Sequence, residues 1–156
     1  MPVAPALDLT LDLPNEAATT ALGIRLAGLA RPGDAILLEG PIGAGKSSLA
    51  RAFIRARLDR EEEVPSPTFT LVQVYEADGT EIWHADLYRL THPDEVFELG
   101  LDGAFESAIC LVEWPDRLGR HLPPDALRIR LEAAGDGRRA RVSGGRAGLL
   151  QALAHD

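Results

Sequence analysis

Lysine and cysteine are almost absent from this sequence. Of the 16 basic residues in 156, all but Lys46 are arginine, a bias that is typical of GC-rich coding. The one cysteine, Cys110, excludes an intramolecular disulfide and any zinc or iron–sulfur site built on clustered cysteines. A chain with so little cysteine fits a reducing compartment. The sequence therefore raises the question of why position 46 alone is lysine.

Long hydrophobic runs and excess positive charge are also missing. No apolar stretch approaches the roughly 20 residues of a membrane span, and no signal-peptide pattern opens the chain. We therefore expect a cytoplasmic protein without membrane contact. The net charge is −8. Because phosphate affinity comes from lysine and arginine, an acidic chain is a poor autonomous binder of nucleic acid.

Apolar periodicity in the first half of the chain alternates between strand and helix. The leucines at positions 7, 9, 11 and 13 alternate with mostly polar residues, which predicts a half-buried strand. Asn15 is the predicted N-cap of a helix that runs to about residue 30. Residues 35–39 form a short apolar run typical of a central buried strand, and a helix is predicted over 46–58.

A hairpin is predicted in the middle of the chain. Asp78-Gly79 separates two β-like runs, 69–76 and 81–87, and this dipeptide favours a tight turn. A hairpin breaks strict βαβ alternation, so the central sheet is expected to be mixed. Further predicted elements are a helix over 92–99, a buried strand over 109–112, paired strands near 127–131 and 139–142, and a helix over 146–154. Together they predict a single α/β domain, residues 1–156, with helices flanking the sheet.

A glycine-rich segment joins the predicted buried strand to the helix that follows it. Residues 40–47 match the phosphate-loop pattern G-x-x-x-x-G-K-[ST], with the strand and helix that this pattern requires on either side. Glycines let backbone N–H groups converge on phosphate oxygens, and the helix N-terminus adds positive charge. Lys46 is expected at the β- and γ-phosphates, Ser47 at Mg²⁺ and Ser48 at the α-phosphate. The expected nucleotide contacts here are Gly40, Ile42, Gly43, Ala44, Gly45, Lys46, Ser47 and Ser48. The fold class is therefore a P-loop NTPase-like α/β domain.

Hydrolysis requires a carboxylate near the metal and the attacking water, and two predicted strands end in one. Asp86 and Glu113 follow strands whose carboxyl ends are expected beside the phosphate loop. We expect Glu113 to be the Walker B acid or base and Asp86 a second, water-mediated metal contact, with the exchanged assignment open. The expected catalytic residues are thus Glu113, Asp86 and Lys46, and the expected metal ligands are Ser47, Glu113 and Asp86. His84 shares a strand face with Asp86 and is expected to be a packed or hydrogen-bonded residue rather than a base.

The segment Ser66-Pro67-Thr68-Phe69-Thr70 lies between the phosphate-loop helix and the hairpin. GTPase switch regions occupy this place, and their threonine contacts Mg²⁺ when the γ-phosphate is bound. A proline-stiffened loop that enters a strand fits the pattern equally well. Trp83 and Trp114 are expected to be core or interface anchors.

The presence of a single lysine limits which nucleotide the chain can recognise. Because Lys46 belongs to the phosphate loop, the Asn-Lys-x-Asp motif that recognises guanine cannot occur, and ATP is the expected nucleotide. Small-molecule P-loop kinases remain an alternative, although they usually need an arginine-bearing lid and an acceptor-binding insertion. The tail after about Leu118 has room for neither. A nucleotide-gated binding module, in which turnover is incidental, is a third possibility.

With these motifs the chain resembles the TsaE family, formerly YjeE, of small bacterial P-loop ATPases. The resemblance covers nearly the whole chain. Its most specific parts are the S-P-T-F-T, H-x-D-L-Y-R-L and V-E-W-P patterns. The matching segments are PNEAATTALG (14–23), LEGPIGAGKSSLARAF (38–53), VPSPTFTLVQVYE (64–76), IWHADLYRL (82–90), EVFELGLDGAF (95–105), ICLVEWPDRLG (109–119) and GRRARVSG (137–144). The chain departs mildly from the usual phosphate loop of the family at two positions. Ser47 stands where threonine is commoner, and Pro41 replaces an acidic residue.

The resemblance implies a role that the residues alone do not show. TsaE-like proteins hydrolyse ATP weakly alone and act with the TsaB–TsaD heterodimer in synthesis of threonylcarbamoyladenosine at tRNA position 37. The resemblance implies that ATP hydrolysis resets that complex, so tRNA would be contacted only indirectly. By the same resemblance, Thr68 and Thr70 lie in a switch-like loop. Glu16, Thr19 and Arg138 would lie near the base or ribose of the nucleotide.

Overall fold

A seven-stranded mixed sheet forms the centre of the fold. The structure is a computed structural model, and it describes residues 8–41, 43–59 and 71–154. The sheet order is β1-β7-β6-β2-β5-β4-β3. The strands are β1 (Asp8–Leu13), β2 (Ala35–Glu39), β3 (Val72–Ala77), β4 (Thr80–Asp86), β5 (Ile109–Glu113), β6 (Leu127–Ala134) and β7 (Gly137–Gly144). The helices within the described residues are α1 (Glu16–Leu29), α2 (Lys46–Leu58), α3 (Glu95–Leu99), α4 (Leu101–Ser107) and α5 (Leu149–Ala154), with a 3-10 segment over Pro115–His121.

The four middle strands are parallel, and this arrangement brings their carboxyl ends to one edge of the sheet. β2 pairs in parallel with β5 and β6, and β5 pairs in parallel with β4. The antiparallel strands β3, β7 and β1 complete the sheet on either side. The mixed sheet predicted from the hairpin is therefore confirmed, together with the P-loop NTPase-like fold class.

Two helical layers cover the sheet and explain the continuous apolar runs of the middle strands. Ile36 and Leu38 of β2 pack on the side of α1, α2 and α5. Ala35 and Leu37 of the same strand pack on the opposite side, with α3, α4 and the 3-10 segment. Because β2 is buried on both faces, its sequence shows no polar alternation.

The elements around the phosphate loop have the predicted bounds. β2 covers 35–39 and α2 covers 46–58, as their apolar patterns indicate. Asn15 caps α1, since its side-chain oxygen accepts a hydrogen bond from the Ala18 N–H at 2.9 Å. The helix ends at Leu29, one residue before the predicted end.

The predicted hairpin is present with a two-residue turn. Asp78 and Gly79 both have positive φ, 52° and 78°, which a type I′ turn requires. The first strand begins at Val72, and Leu71 lies outside it with a φ of 65°, so its predicted inclusion was wrong. The predicted strand start at residues 69 and 70 lies outside the described residues.

Two predicted helices begin later than expected, and a third helix was not predicted. The helix predicted from His92 begins at Glu95, because Pro93 disfavours helical geometry at His92 and the Glu95 carboxylate accepts the His92 N–H at 3.0 Å. Helix α4 was missed altogether. The last helix begins at Leu149 rather than at residue 146, since Gly148 adopts a φ of 87° just before it. In the part of the chain that the structure describes, the helices are too short or too polar to cross a membrane.

Candidate functional site

A cleft of about 470 Å³ opens at the edge where the parallel strands end. Its size lies in the range typical of small-molecule sites. The phosphate loop, the ends of β4 and β5 and the start of β7 form its walls. The lining residues are Gly43, Gly45, Lys46, Ser47, Ser48, Asp86, Tyr88, Glu113, Trp114 and Arg138. Carboxyl ends of parallel strands are the usual place for ligands in such sheets.

The phosphate loop needs glycine at two positions for steric reasons. Gly40 has a φ of 140°, and a Cβ atom there would lie 2.5 Å from the Leu131 carbonyl oxygen. Gly45 has a φ of 104°, and a Cβ atom would overlap the Arg138 guanidinium. Both conformations disfavour other residues, so the glycine pattern reflects backbone geometry and close packing. Ala44 is buried beside Gly40 rather than in the cleft wall.

Lys46 is the first residue of α2, and its ammonium lies folded over the loop that precedes it. The side chain is buried, and Nζ donates hydrogen bonds to the Gly40 and Pro41 carbonyls, the latter at 3.0 Å. The same atom lies 4.1 Å from the centre of the Trp114 ring, a cation–π contact. Burial lowers the pKa of Lys46, and the neighbouring carboxylates, Glu113 first, act in the opposite direction.

Glu113 is the most enclosed acid of the cleft, with only 2% of its surface exposed. Its Oε1 accepts a hydrogen bond from the Ser47 hydroxyl at 3.0 Å. Its Oε2 lies 2.7 Å from Nε2 of His84, which is fully buried on the neighbouring strand. The strand end predicted to carry a functional acid thus meets the phosphate-loop helix directly.

Asp86 ends β4 directly opposite Glu113 in the parallel register. Its Oδ1 accepts the Tyr88 N–H at 3.1 Å. Burial raises the pKa of Asp86, the bond from Tyr88 lowers it, and the charge of Glu113 raises it further. Two acids at the ends of adjacent strands therefore share one small volume with Lys46.

The donor atoms at this corner fit a small hard cation. The Ser47 hydroxyl and the Glu113 carboxylate are in contact, and Asp86 lies beside Glu113 in the register. Hydroxyl and carboxylate oxygens are the ligands that Mg²⁺ prefers. Among residues 8–41, 43–59 and 71–154, no cluster of three or more His, Cys, Asp or Glu side chains is arranged to hold a metal alone.

The residues expected near the base or ribose occupy different environments. Arg138 lines the cleft, and its Nη1 lies 3.3 Å from Oε2 of Glu16, which lines the adjoining groove between α1 and α2. Thr19 is fully buried, and Thr20 lines the adjoining groove between α1 and α2. A nucleotide contact by Thr19 stays a prediction. Ile42, Thr68 and Thr70 lie outside the described residues, and so does the switch-like loop.

Three residues of this region make contacts that the sequence did not specify, although His84 is buried and hydrogen-bonded as expected. Trp114 and Tyr88 line the cleft and pack against each other with ring centres 5.0 Å apart, whereas Trp114 was expected to be only an anchor. Trp114 also has a φ of 58°, a left-handed conformation that is uncommon for a residue other than glycine. The sequence feature that places His84 near the site is its position two residues before Asp86, on the same face of the strand. Trp83 packs against Gly100, as expected of an anchor.

Comparisons with known proteins converge on one family. A family model described as "Threonylcarbamoyl adenosine biosynthesis protein TsaE" matches residues 13–141. A Rickettsia conorii protein named tRNA threonylcarbamoyladenosine biosynthesis protein TsaE is 37% identical over 127 residues, 81% of this chain and 73% of the relative. The Bacillus subtilis protein of the same name is 38% identical over 126 residues, 80% and 78% of the two chains.

A solved structure shares the whole architecture. The crystal structure of Bacillus subtilis YdiB superposes with a TM-score of 0.76 at 27% sequence identity. The match covers 97% of this chain and 95% of the other.

Proposed function

The chain belongs to the TsaE family, and from this premise we propose that it is the Mg²⁺-dependent ATPase subunit of a tRNA-modifying system. The reaction it supports is the formation of N6-threonylcarbamoyladenosine in tRNA. The chemistry on this chain is hydrolysis of ATP, and the modification itself takes place on partner proteins.

One contact supports the proposal more than any other. The Ser47 hydroxyl of the phosphate-loop helix donates to the Glu113 carboxylate at the end of β5. The contact supports the proposal because P-loop hydrolases use a phosphate-loop hydroxyl and a strand-end acid together to hold Mg²⁺.

Each polar group of the cleft has a definite task in ATP hydrolysis. The loop amides and the N-terminus of α2 bind the phosphates, and Lys46 neutralises charge between the β- and γ-phosphates. To reach them, the ammonium exchanges the Gly40 and Pro41 carbonyls for phosphate oxygens. Glu113 orients the attacking water and accepts its proton.

Ser47 and Glu113 would hold Mg²⁺, and Asp86 would contact it through water. When bound, the ion polarises the phosphoryl oxygens. Arg138 in the cleft wall, and Glu16 paired with it from the adjoining groove, would lie towards the base or ribose of the nucleotide.

The partners we propose are TsaB and TsaD. TsaD transfers the threonylcarbamoyl group from its adenylate to the adenosine and releases AMP, and ATP hydrolysis on this chain resets the TsaB–TsaD complex between turnovers. The acidic net charge of −8 supports this division of labour, because a subunit that acts through protein contacts does not have to bind tRNA.

The direct test is steady-state ATP hydrolysis by the purified chain, with and without Mg²⁺, beside Glu113→Ala. We expect Glu113→Ala to keep ATP binding, because the loop and Lys46 are unchanged. We expect it to lose hydrolysis, because the acid proposed to orient the water and to bind Mg²⁺ is absent. Glu98→Ala, an exposed acid on α3, is the matched control and should behave as the native chain. Full turnover by Glu113→Ala would contradict the assignment and point to Asp86.

Transfer of phosphate to a small acceptor is the outcome that the kinase alternative predicts. Incubation with labelled ATP and a panel of small acceptors distinguishes the two, because the proposal expects label only in free phosphate. Stoichiometric transfer to any acceptor would overturn it.

A further inference from the structure

We infer that His84 is a positioning residue that fixes the carboxylate of Glu113 in its working orientation. The inference rests on the proposed ATP hydrolysis, and it assigns a task to a buried histidine that phosphate binding does not use.

The geometry of the sheet brings the two side chains together. In the parallel register, His84 lies opposite Leu111 and Asp86 lies opposite Glu113. His84 and Glu113 are therefore diagonal neighbours on one face of the sheet, within reach of long side chains. The imidazole has no exposed surface, and Nε2 lies 2.7 Å from Oε2 of Glu113.

The two oxygens of Glu113 are held from different elements. Ser47 of α2 contacts Oε1 and His84 of β4 contacts Oε2. A carboxylate with a single partner can rotate about its last bond, whereas two partners on separate elements define the plane of the group. The orientation of Glu113 matters because its carboxylate is proposed to orient the attacking water and to bind the metal at the same time.

The imidazole has a definite proton arrangement. Within the described residues, Nδ1 of His84 is buried without a hydrogen-bond partner. An ionised carboxylate can only accept hydrogen bonds, so the contact with Oε2 requires the imidazole proton on Nε2 and leaves Nδ1 as an unused acceptor. The proton therefore lies on Nε2 and is donated to Glu113, while the Ser47 hydroxyl donates to the other oxygen.

A packing role alone does not explain a histidine at this position. Ile82, two residues earlier on the same face, is also fully buried and is apolar. Burial of a polar side chain costs free energy unless the side chain is hydrogen-bonded. The hydrogen bond of this imidazole is made to the carboxylate of Glu113. Loss of the imidazole should therefore slow hydrolysis and leave ATP binding intact, because Lys46 and the loop amides are untouched.

The kinetic test compares His84→Phe with His84→Gln. Phenylalanine fills the space without a donor, and we expect kcat to fall about 10- to 100-fold, as for other residues that orient active-site groups, with KM unchanged. Glutamine places an amide N–H near the position of Nε2 and should restore most of the rate. His92→Gln is the control, since this histidine is 67% exposed and lies outside the cleft. Native kcat in His84→Phe would overturn the inference, and so would a parallel rise in KM.

A second measurement does not depend on turnover or on the folding of His84→Phe. The chain has four histidines, so long-range ¹H–¹⁵N spectra are simple, and His84→Gln assigns the signal. We expect the Nε2–H tautomer, with a resonance that moves in Glu113→Ala. An Nδ1–H tautomer, or a signal insensitive to Glu113→Ala, would refute the inference. If the native chain hydrolyses no ATP, the proposed function fails, while this spectrum still decides whether the imidazole holds the carboxylate.

Discussion

At position 46 the chain carries an ammonium where every other basic position carries a guanidinium. The Lys46 side chain is 95% enclosed, with Nζ between two loop carbonyls and the face of Trp114. A guanidinium is wider, planar and directs its N–H groups in a fixed fork, so it does not fit the same enclosure. The single lysine is therefore explained by local geometry as well as by composition.

Lys46→Arg tests this explanation, because it keeps the charge and changes the shape. Loss of one hydrogen bond to a charged group costs about 1.5–3 kcal/mol. We therefore expect ATP affinity to weaken about ten- to a hundredfold, measured by calorimetric titration. Arg120→Lys, on an exposed guanidinium, is the converse control and should bind as the native chain. Native affinity in Lys46→Arg would show that charge alone is sufficient.

Asp86 illustrates a conflict between stability and function at a single residue. Burial first, and then the charge of Glu113, raise its pKa above the unfolded value of 3.8. The protonated form is thus favoured in the folded chain, so its contribution to stability is present below pH 3.8 and is lost as the pH rises through the higher folded pKa. At neutral pH the ionised carboxylate lowers the free energy of unfolding.

We therefore predict that Asp86→Asn raises the melting temperature at pH 7 in EDTA and lowers ATP hydrolysis. The amide oxygen of asparagine still accepts the Tyr88 N–H, so the strand end keeps its hydrogen bond. Below pH 3.8 the two proteins should melt together. Asp102→Asn, at an exposed position of α4, is the matched control. A lower melting temperature for Asp86→Asn at pH 7 would contradict the account.

Among the elements, those around the phosphate loop were the most predictable from sequence. β2 is a short apolar run bounded by turn residues, and α2 follows a glycine pattern whose geometry is almost unique, so their bounds were correct. Helix α4 was missed because it has seven residues, contains Gly103 and has no side-chain cap. Its stability comes from packing against the sheet, through Leu101 and Ala104, which periodicity over seven residues does not reveal.

Two glycine-to-alanine substitutions compare a glycine that the loop conformation requires with a glycine in a helix that has no such requirement. Gly40→Ala places a methyl group against the Leu131 carbonyl at a φ of 140°, and we expect a loss of roughly 1–3 kcal/mol in the free energy of unfolding. Gly28→Ala, on the exposed side of α1 with open space around it, should instead gain about 0.5–1 kcal/mol. Urea denaturation of both variants measures the difference. Equal effects would mean that the loop conformation is not specified by steric contact.

At the scale of the whole molecule, the order of the strands in the sheet could not be predicted from the sequence. β6 follows β5 in the chain but pairs with β2, so that β2 lies between β5 and β6. Such pairings are chosen by total burial across distant segments, whereas a periodic pattern reports only which face of one strand is apolar. The contact between His84 and Glu113 depends on the register of β4 and β5, and for that reason its partner was not predicted.

Charge on the molecular surface bears on the role of tRNA. Three arginines on the face of β6 and β7 away from α1 are paired with acids: Arg128 with Glu39, Arg139 with Asp12 and Arg141 with Glu132. With these pairs and a net charge of −8, we expect no measurable tRNA binding by the isolated chain at physiological salt. A gel-shift titration checks this. A salt-dependent shift that is lost in Arg128→Glu would contradict the indirect role of tRNA.

The most direct test of the central claim is reconstituted tRNA modification with TsaB, TsaD, threonylcarbamoyl adenylate as the donor, and tRNA in excess. We predict multiple-turnover synthesis of threonylcarbamoyladenosine with the native chain, and synthesis that stops near one turnover without it or with Glu113→Ala. Native chain and Glu113→Ala share the phosphate loop and Lys46, so their difference isolates hydrolysis from ATP binding. Multiple turnover with Glu113→Ala, or without the chain, would contradict the claim that ATP hydrolysis at this cleft resets the complex.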